Sequence, residues 1–356
     1  MFIIITRAVH IGACLILLSL FAFELLVARP ALTQADRSAL QHMEALREQF
    51  RLLAVWSGIA AIASGIVWFW IVLTRLTGTS LWEMPGIDSL DVAITRTQFG
   101  RLWSWRLALM LLFTFANLFA SRKCWPVLWR SRAWRCVGAI IATTLVGSLA
   151  WAGHAGATLG AERPIHLTAD AAHLIAAGLW PAGLLPLTLL LVRASRSSEP
   201  SLLLVASAIT RRFSALSLFV VGALAATGLT NSYFLVGSLR ALIASDYGRL
   251  LVLKLLLFVI MIALGACNLL RFKPQLALAN EQNATQRDAL RKLTRNVIAE
   301  LCLGTLVVLI VGALGATPPP RHRMGAVSAH ACLLQAHETT PHPVAAEIKL
   351  AHLYRS

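Results

Sequence analysis

The sequence predicts an all-α polytopic membrane protein with eight transmembrane helices, built as two parallel four-helix repeats. Composition is the first sign. Of 356 residues, 58% are hydrophobic and 13% are charged, whereas charged residues make up about a quarter of a soluble protein. Distribution is the second, because nearly uncharged stretches of about 20 residues recur, each long enough to cross a hydrocarbon core of roughly 30 Å. Helices are the expected spanning element, since lipid cannot satisfy backbone groups and an open sheet leaves its edges unpaired. The third sign is an internal repeat. Phe99-Gly100-Arg101-Leu102-Trp103-Ser104-Trp105-Arg106 reads against Tyr247-Gly248-Arg249-Leu250-Leu251-Val252-Leu253-Lys254, so an aromatic-Gly-Arg lead-in is followed five residues later by a cation.

The first span runs from about Val9 to Val27. It is too long, and its N-terminal flank too weakly basic, for a typical cleaved signal peptide. Three more follow at about Leu52 to Thr74, Leu102 to Ala120 and Cys136 to Gly153. The fifth covers Thr168 to Leu191, and Pro164, suited to the first turn of a helix, extends it outward to include His166. Phe213 to Leu235, Leu250 to Leu270 and Val297 to Ala316 complete the set. Residues 1–316 thus form the transmembrane domain. Residues 317–356 are a polar, proline-bearing, flexible tail. Val146-Gly147-Ser148-Leu149 also matches Val311-Gly312-Ala313-Leu314, and Ala8-Val9-His10 resembles Ala171-Ala172-His173. Copies of four helices each share one orientation, about an axis along the membrane normal.

A formal net charge of +16 would suggest nucleic acid in a soluble domain, but in a membrane protein excess Lys and Arg first reports orientation. The odd-numbered connections hold 19 basic residues, and the N-terminus with the even connections holds seven. The odd connections are therefore expected in the cytoplasm and both termini outside it. The six cysteines form no CxxC pair, which supports neither a zinc module nor a disulfide scaffold.

Histidines carry the chemical signal. His10 opens the first span, His154 closes the fourth, and His166 and His173 flank the start of the fifth. All four fall at or just inside the outer face. If the repeat holds, His10 and His173 occupy equivalent depths, where one ion is within reach of both. Positions 166, 170, 173, 177 and 180 recur at helical spacing, so His166, Asp170, His173, Ala177 and Trp180 share one face. Imidazole suits copper and other first-row ions, thiolate favours Cu(I), and a carboxylate ligates or orients a ring nitrogen. His10, His154 and His173 together form the expected metal site, with Asp170 and His166 in support. Cys14, one turn beyond His10, reads first as a small packing residue.

Ionisable groups inside a membrane suggest function by default. Arg106 and Lys254 have side chains long enough to snorkel. They could repel cations, balance Asp170 or bind a headgroup, and structural anchoring is the preferred reading. Glu24 and Glu300 fall near the inner ends of the first and eighth spans, where either could help an ion or proton leave. The tail carries His322, His330, His337, His342 and His352 with Cys332, without a ligand motif.

Several of these residues resemble a known family. Gly153-His154-Ala155, Ala169-Asp170 with His173 and Trp180, Arg212-Phe213-Ser214, Thr227-Gly228, Tyr247-Gly248-Arg249 with Lys254, and Asn268 are similar to the copper resistance protein D (CopD) family of bacterial inner-membrane proteins. Thr97-Gln98-Phe99-Gly100-Arg101 with Trp103 and Arg106 fits the same pattern, so the resemblance covers all eight spans. It implies copper movement across the cytoplasmic membrane, with uptake preferred, as part of copper homeostasis or resistance and in partnership with a periplasmic CopC-like copper carrier. One departure is Trp180-Pro181-Ala182-Gly183-Leu184, where the family has a glycine-rich Trp-x-Gly-Gly-Leu. Proline there is expected to kink the fifth helix.

Two other readings remain open from sequence: a b-type haem protein for electron transfer, which needs only two facing imidazoles, and a non-transporting membrane partner of a copper carrier. No Walker loop, nucleophile elbow or HExxH occurs, so an ATPase or hydrolase of those types has no support. The expected protein is not an enzyme.

Overall fold

The computed structural model describes residues 1–32, 37–119, 131–158, 160–197, 199–272 and 283–321. All eight expected spans are helices, and no strand occurs among the described residues. They are α1 (Phe2–Ala31), α2 (Met43–Thr77), α3 (Gln98–Phe119), α4 (Arg132–Ala152), α5 (Gly160–Arg196), α6 (Pro200–Leu235), α7 (Asp246–Arg271) and α8 (Arg287–Leu314). The chain is a multi-pass membrane protein. Each helix outruns the apolar stretch that announces it, because backbone hydrogen bonding continues past the lipid boundary.

The helix α1 is the hub, packed against α2, α4, α5 and α8. Its Leu17, Leu20 and Phe21 meet Leu145 and Val146 of α4 and Leu187 and Leu190 of α5 in one apolar core. Close approach rests on small residues, as in many membrane bundles. A Cβ on Gly312 of α8 would lie 2.6 Å from the Ile4 carbonyl oxygen and 3.0 Å from the Ala8 Cβ of α1. The outer surface carries the large apolar side chains a lipid solvent requires, among them Trp56, Leu112, Phe115, Phe219, Leu229 and Val259.

The aromatic-Gly-Arg lead-ins have a structural cause. Short helices at Ile87–Arg96 and Leu239–Ala244 precede α3 and α7, and the next helix starts hard against them. A Cβ on Gly100 would collide with the Ala93 carbonyl, and one on Gly248 with the Leu242 carbonyl. Thr97 and Ser245 cap the two starts by accepting from the Gly100 and Gly248 amides, at 2.8 and 3.0 Å.

The break in α5 falls where proline predicts it. An α-helix runs Arg163–Leu179, the chain turns through residues 180–183, and a second helix runs Leu184–Arg196. Wide π-type turns lie at Phe23–Ala28 of α1 and Asn268–Phe272 of α7. Each adjoins a buried carboxylate with polar partners. Arg47 donates to Glu24 at 2.8 and 2.5 Å. Asn268 donates to Glu300 at 2.5 Å and accepts from Asn296 at 3.1 Å. Arg47, counted above in the first connection, thus lies within α2 and offsets a carboxylate that has no exposure at all.

Candidate functional site

Two buried imidazoles organise the polar interior. His10 is fully buried in α1. Its Nδ1 lies 2.9 Å from the Ala61 carbonyl and 3.3 Å from the Ser64 hydroxyl of α2. Its Nε2 lies 3.1 Å from Nη2 of Arg106 in α3. A guanidinium only donates, so Nε2 accepts and the ring proton sits on Nδ1, donating to Ala61. Arg106 is fully buried too. Through Nη1 it donates to the Leu145 carbonyl and the Ser148 hydroxyl of α4, and through Nη2 it also reaches Cys14 Sγ at 3.9 Å. Trp68 and Trp103 pack on the imidazole at 5.6 and 5.2 Å between centroids. Arg106 therefore does not snorkel: an acceptor inside the bundle outcompetes the interface.

His173 of α5 repeats the arrangement. Its Nδ1 donates to the Thr227 hydroxyl of α6 at 3.0 Å, and its Nε2 lies 3.3 Å from Nζ of Lys254 in α7. Thr227 passes its own proton to the Ala223 carbonyl at 2.6 Å. The distance along the chain from histidine to hydroxyl is 54 residues in both cases. Each hydroxyl is followed by a glycine that lets the ring lie on the helix backbone. A Cβ on Gly65 would be 3.2 Å from the His10 Cε1, and one on Gly228 would be 3.3 Å from the His173 Cε1.

The expected stripe on α5 is one face, and it packs on α6. His166 stacks on Phe234 at 4.8 Å and pairs with Thr158 at 2.8 Å. Asp170 accepts from Asn231 at 3.2 Å, His173 meets Thr227, and Trp180 packs edge-on against Phe258 of α7 at 6.0 Å. A Cβ on Gly153 would be 3.7 Å from Oδ2 of Asp170, so the carboxylate faces the turn that carries His154, with the Lys254 charge close by. His154 itself donates from Nε2 to the Leu314 carbonyl at 3.2 Å and lies edge-on to Tyr247.

The expected convergence of His10, His154 and His173 on one ion is not seen. Each has separate partners, and among the described residues no three His, Cys, Asp or Glu side chains form a group that could hold a metal ion. What the structure brings together is different: His10, Cys14, Ser64 and Arg106 in one half, and Asp170, His173, Thr227, Asn231 and Lys254 in the other. The tail histidines and Cys332 lie outside the described residues. Ser64, Trp68 and Asn231 were not singled out from the sequence, and Ser148 only as part of the repeat match.

A family model described as "Copper resistance protein D-like, N-terminal domain" matches residues 1–164, and one described as "Copper resistance protein D" matches residues 207–314. The chain belongs to the copper resistance protein D family. Among its relatives is copper resistance protein D of Pseudomonas syringae pv. tomato, 25% identical over 271 residues, covering 76% of this chain and 84% of that protein. Inner membrane protein YebZ of Escherichia coli (strain K12) is 28% identical over 268 residues, covering 75% and 82%. Copper transport protein CutJ of Bacillus subtilis (strain 168) is 29% identical over 221 residues, which is 62% of this chain but 37% of CutJ. No solved structure matches the chain significantly. Membership of this family supports a role in copper handling; the cluster around His10 falls inside residues 1–164, and of the other cluster Thr227, Asn231 and Lys254 fall inside residues 207–314 while Asp170 and His173 lie between the two matched segments.

Proposed function

We propose that this protein carries copper inward across the bacterial inner membrane, with His10, His173 and Asp170 taking the ion inside the bundle and His154 and His166 serving its arrival from the periplasmic side. A copper resistance family and relatives named as a copper transport protein and an inner membrane protein support it. The state of the two imidazoles carries it. A metal-ligating histidine characteristically gives its second ring N–H to a carbonyl or hydroxyl, which fixes the tautomer and aims the other nitrogen. His10 and His173 are each held in that way, and each turns its Nε2 lone pair toward a cationic side chain.

On this reading Arg106 and Lys254 occupy the ligand position between ions and yield it when copper arrives. The equal 54-residue spacing supports descent of the two halves from one four-helix unit. Both termini face the periplasm, in line with the basic residues of the odd connections, and a CopC-like carrier delivers the ion there. The chain works as a transporter and not as an enzyme. Axial ligation of haem is not favoured, since Trp68 and Trp103 cover the His10 ring.

The test is copper accumulation in cells expressing single alanine variants at His10, His154 and His173, with membrane insertion checked in each. Accumulation is expected to fall in each. Unchanged accumulation in all three variants overturns the reading.

A further inference from the structure

We infer that His10 Nε2 and Cys14 Sγ form a two-coordinate seat for Cu(I), in which the Arg106 guanidinium is the resident stand-in. This rests on the copper reading and names the oxidation state and a ligand within it. The two atoms lie 4.0 Å apart on one face of α1. Zinc bonds to imidazole and thiolate are about 2.0 and 2.3 Å, and on that scale the two ligands of a near-linear ion stand about 4.3 Å apart. The seat is already close to the required width.

A cation already sits beside the gap between these two atoms. The same nitrogen, Nη2 of Arg106, is 3.1 Å from Nε2 and 3.9 Å from Sγ. Its sister Nη1 is tied to the Leu145 carbonyl and Ser148 on α4, so Nη2 can swing aside while the side chain stays anchored. His10 and Cys14 are both fully buried, and the Trp68 and Trp103 faces both exclude water and attract a cation. A thiolate and an imidazole, with no third His, Cys, Asp or Glu grouped with them among the described residues, suit Cu(I), whereas Cu(II) seeks a tetragonal set of nitrogen and oxygen ligands.

Charge also balances. As the Cu–S bond forms, the Cys14 thiol gives its proton to water or buffer, so Cu⁺ and thiolate together add no net charge beside Arg106. The seat belongs to one half alone: the residue four after His173 is Ala177, and the nearby donor there is the harder carboxylate of Asp170.

The full chain in detergent, kept anaerobic, is titrated with Cu(I) against the chelator bicinchoninate, and the bound metal is examined by copper K-edge absorption. The wild type is expected to show a sulfur neighbour at about 2.3 Å. Cys14→Ser, nearly the same size, is expected to lose that sulfur and at least about 100-fold in affinity, beyond the 10–100-fold typical of an outer partner. Cys14→Met, which keeps a soft donor, is expected to stay within about 10-fold and guards against a folding defect in the serine variant. Unchanged affinity and an unchanged sulfur signal in Cys14→Ser overturn the seat. Vesicle flux on the same preparations separates the two claims: flux with no Cys14 dependence of binding sinks the seat alone, and Cys14-dependent binding without flux sinks transport alone.

Discussion

Replacing Thr227 with Val removes one oxygen from beneath His173 and little else. The lost atom accepts the Nδ1 proton at 3.0 Å, and an orphaned buried donor costs about 1–3 kcal/mol. At 1.4 kcal/mol per factor of ten, that cost corresponds to roughly 5- to 150-fold in copper affinity if the ring can no longer hold its Nε2 in register, the same range as loss of an outer partner elsewhere. The Leu224 carbonyl one turn earlier is a substitute acceptor after a small shift, which moves the expectation to about 10-fold. Ser64→Ala in the other half is expected to cost only about 3-fold, because the Ala61 carbonyl at 2.9 Å is nearer to His10 Nδ1 than the hydroxyl at 3.3 Å and already takes the proton. Thr230→Val serves as control, since its exposed hydroxyl bonds the Ala226 carbonyl of its own helix. The assay is copper affinity by chelator competition, with copper accumulation in cells alongside. The reasoning fails if Thr227→Val matches the wild type while His173→Ala does not, or if Ser64→Ala is the more damaging of the pair.

Glu24→Ala leaves the half-buried Arg47 without its partner and is expected to destabilise the bundle by about 1–3 kcal/mol, read as a lower midpoint of thermal unfolding in detergent. An unchanged midpoint counts against the pair's role in holding α1 to α2. Gly312→Val pushes a side chain into the α1 backbone and is expected to cost about 1–3 kcal/mol in the same assay, whereas Gly222→Ala, with nothing within 4 Å of the added carbon, is expected to be neutral. Alkaline phosphatase fused after Arg321 is expected to be active, and green fluorescent protein inserted between α5 and α6 is expected to fluoresce. The opposite pattern reverses the orientation.

The spans were legible because lipid leaves the chain so few options: a 20-residue run without charge has to be a helix. His10, His173, Arg106 and Lys254 were legible for a related reason, as polar groups where polarity is costly. Their partners were not, except that Thr227 entered through the Thr227-Gly228 resemblance without a role. Ser64 and Thr227 are ordinary hydroxyls in apolar helices, and nothing local distinguishes them from Thr230 or Ser217, which bond only within their own turn. The signal that identifies them is long-range: Ser64-Gly65 and Thr227-Gly228 stand at the same distance from His10 and His173. Arg106 was legible as an anchoring cation long enough to snorkel, and only the fold reveals that His10, Leu145 and Ser148 offer it three acceptors inside. The shared three-histidine site is not seen because equal depth is not proximity: His10 and His173 each turn to a cation, and His154 turns to the Leu314 carbonyl.

The central claim is that copper crosses the membrane through this chain by way of His10 and His173. Purified protein in sealed vesicles containing a copper-sensitive dye tests it most directly, with empty vesicles and His10→Ala/His173→Ala protein as references. The account predicts copper influx for the wild type and flux near the empty-vesicle rate for the double variant. Equal flux for wild type and double variant, or none above empty vesicles for the wild type, contradicts it.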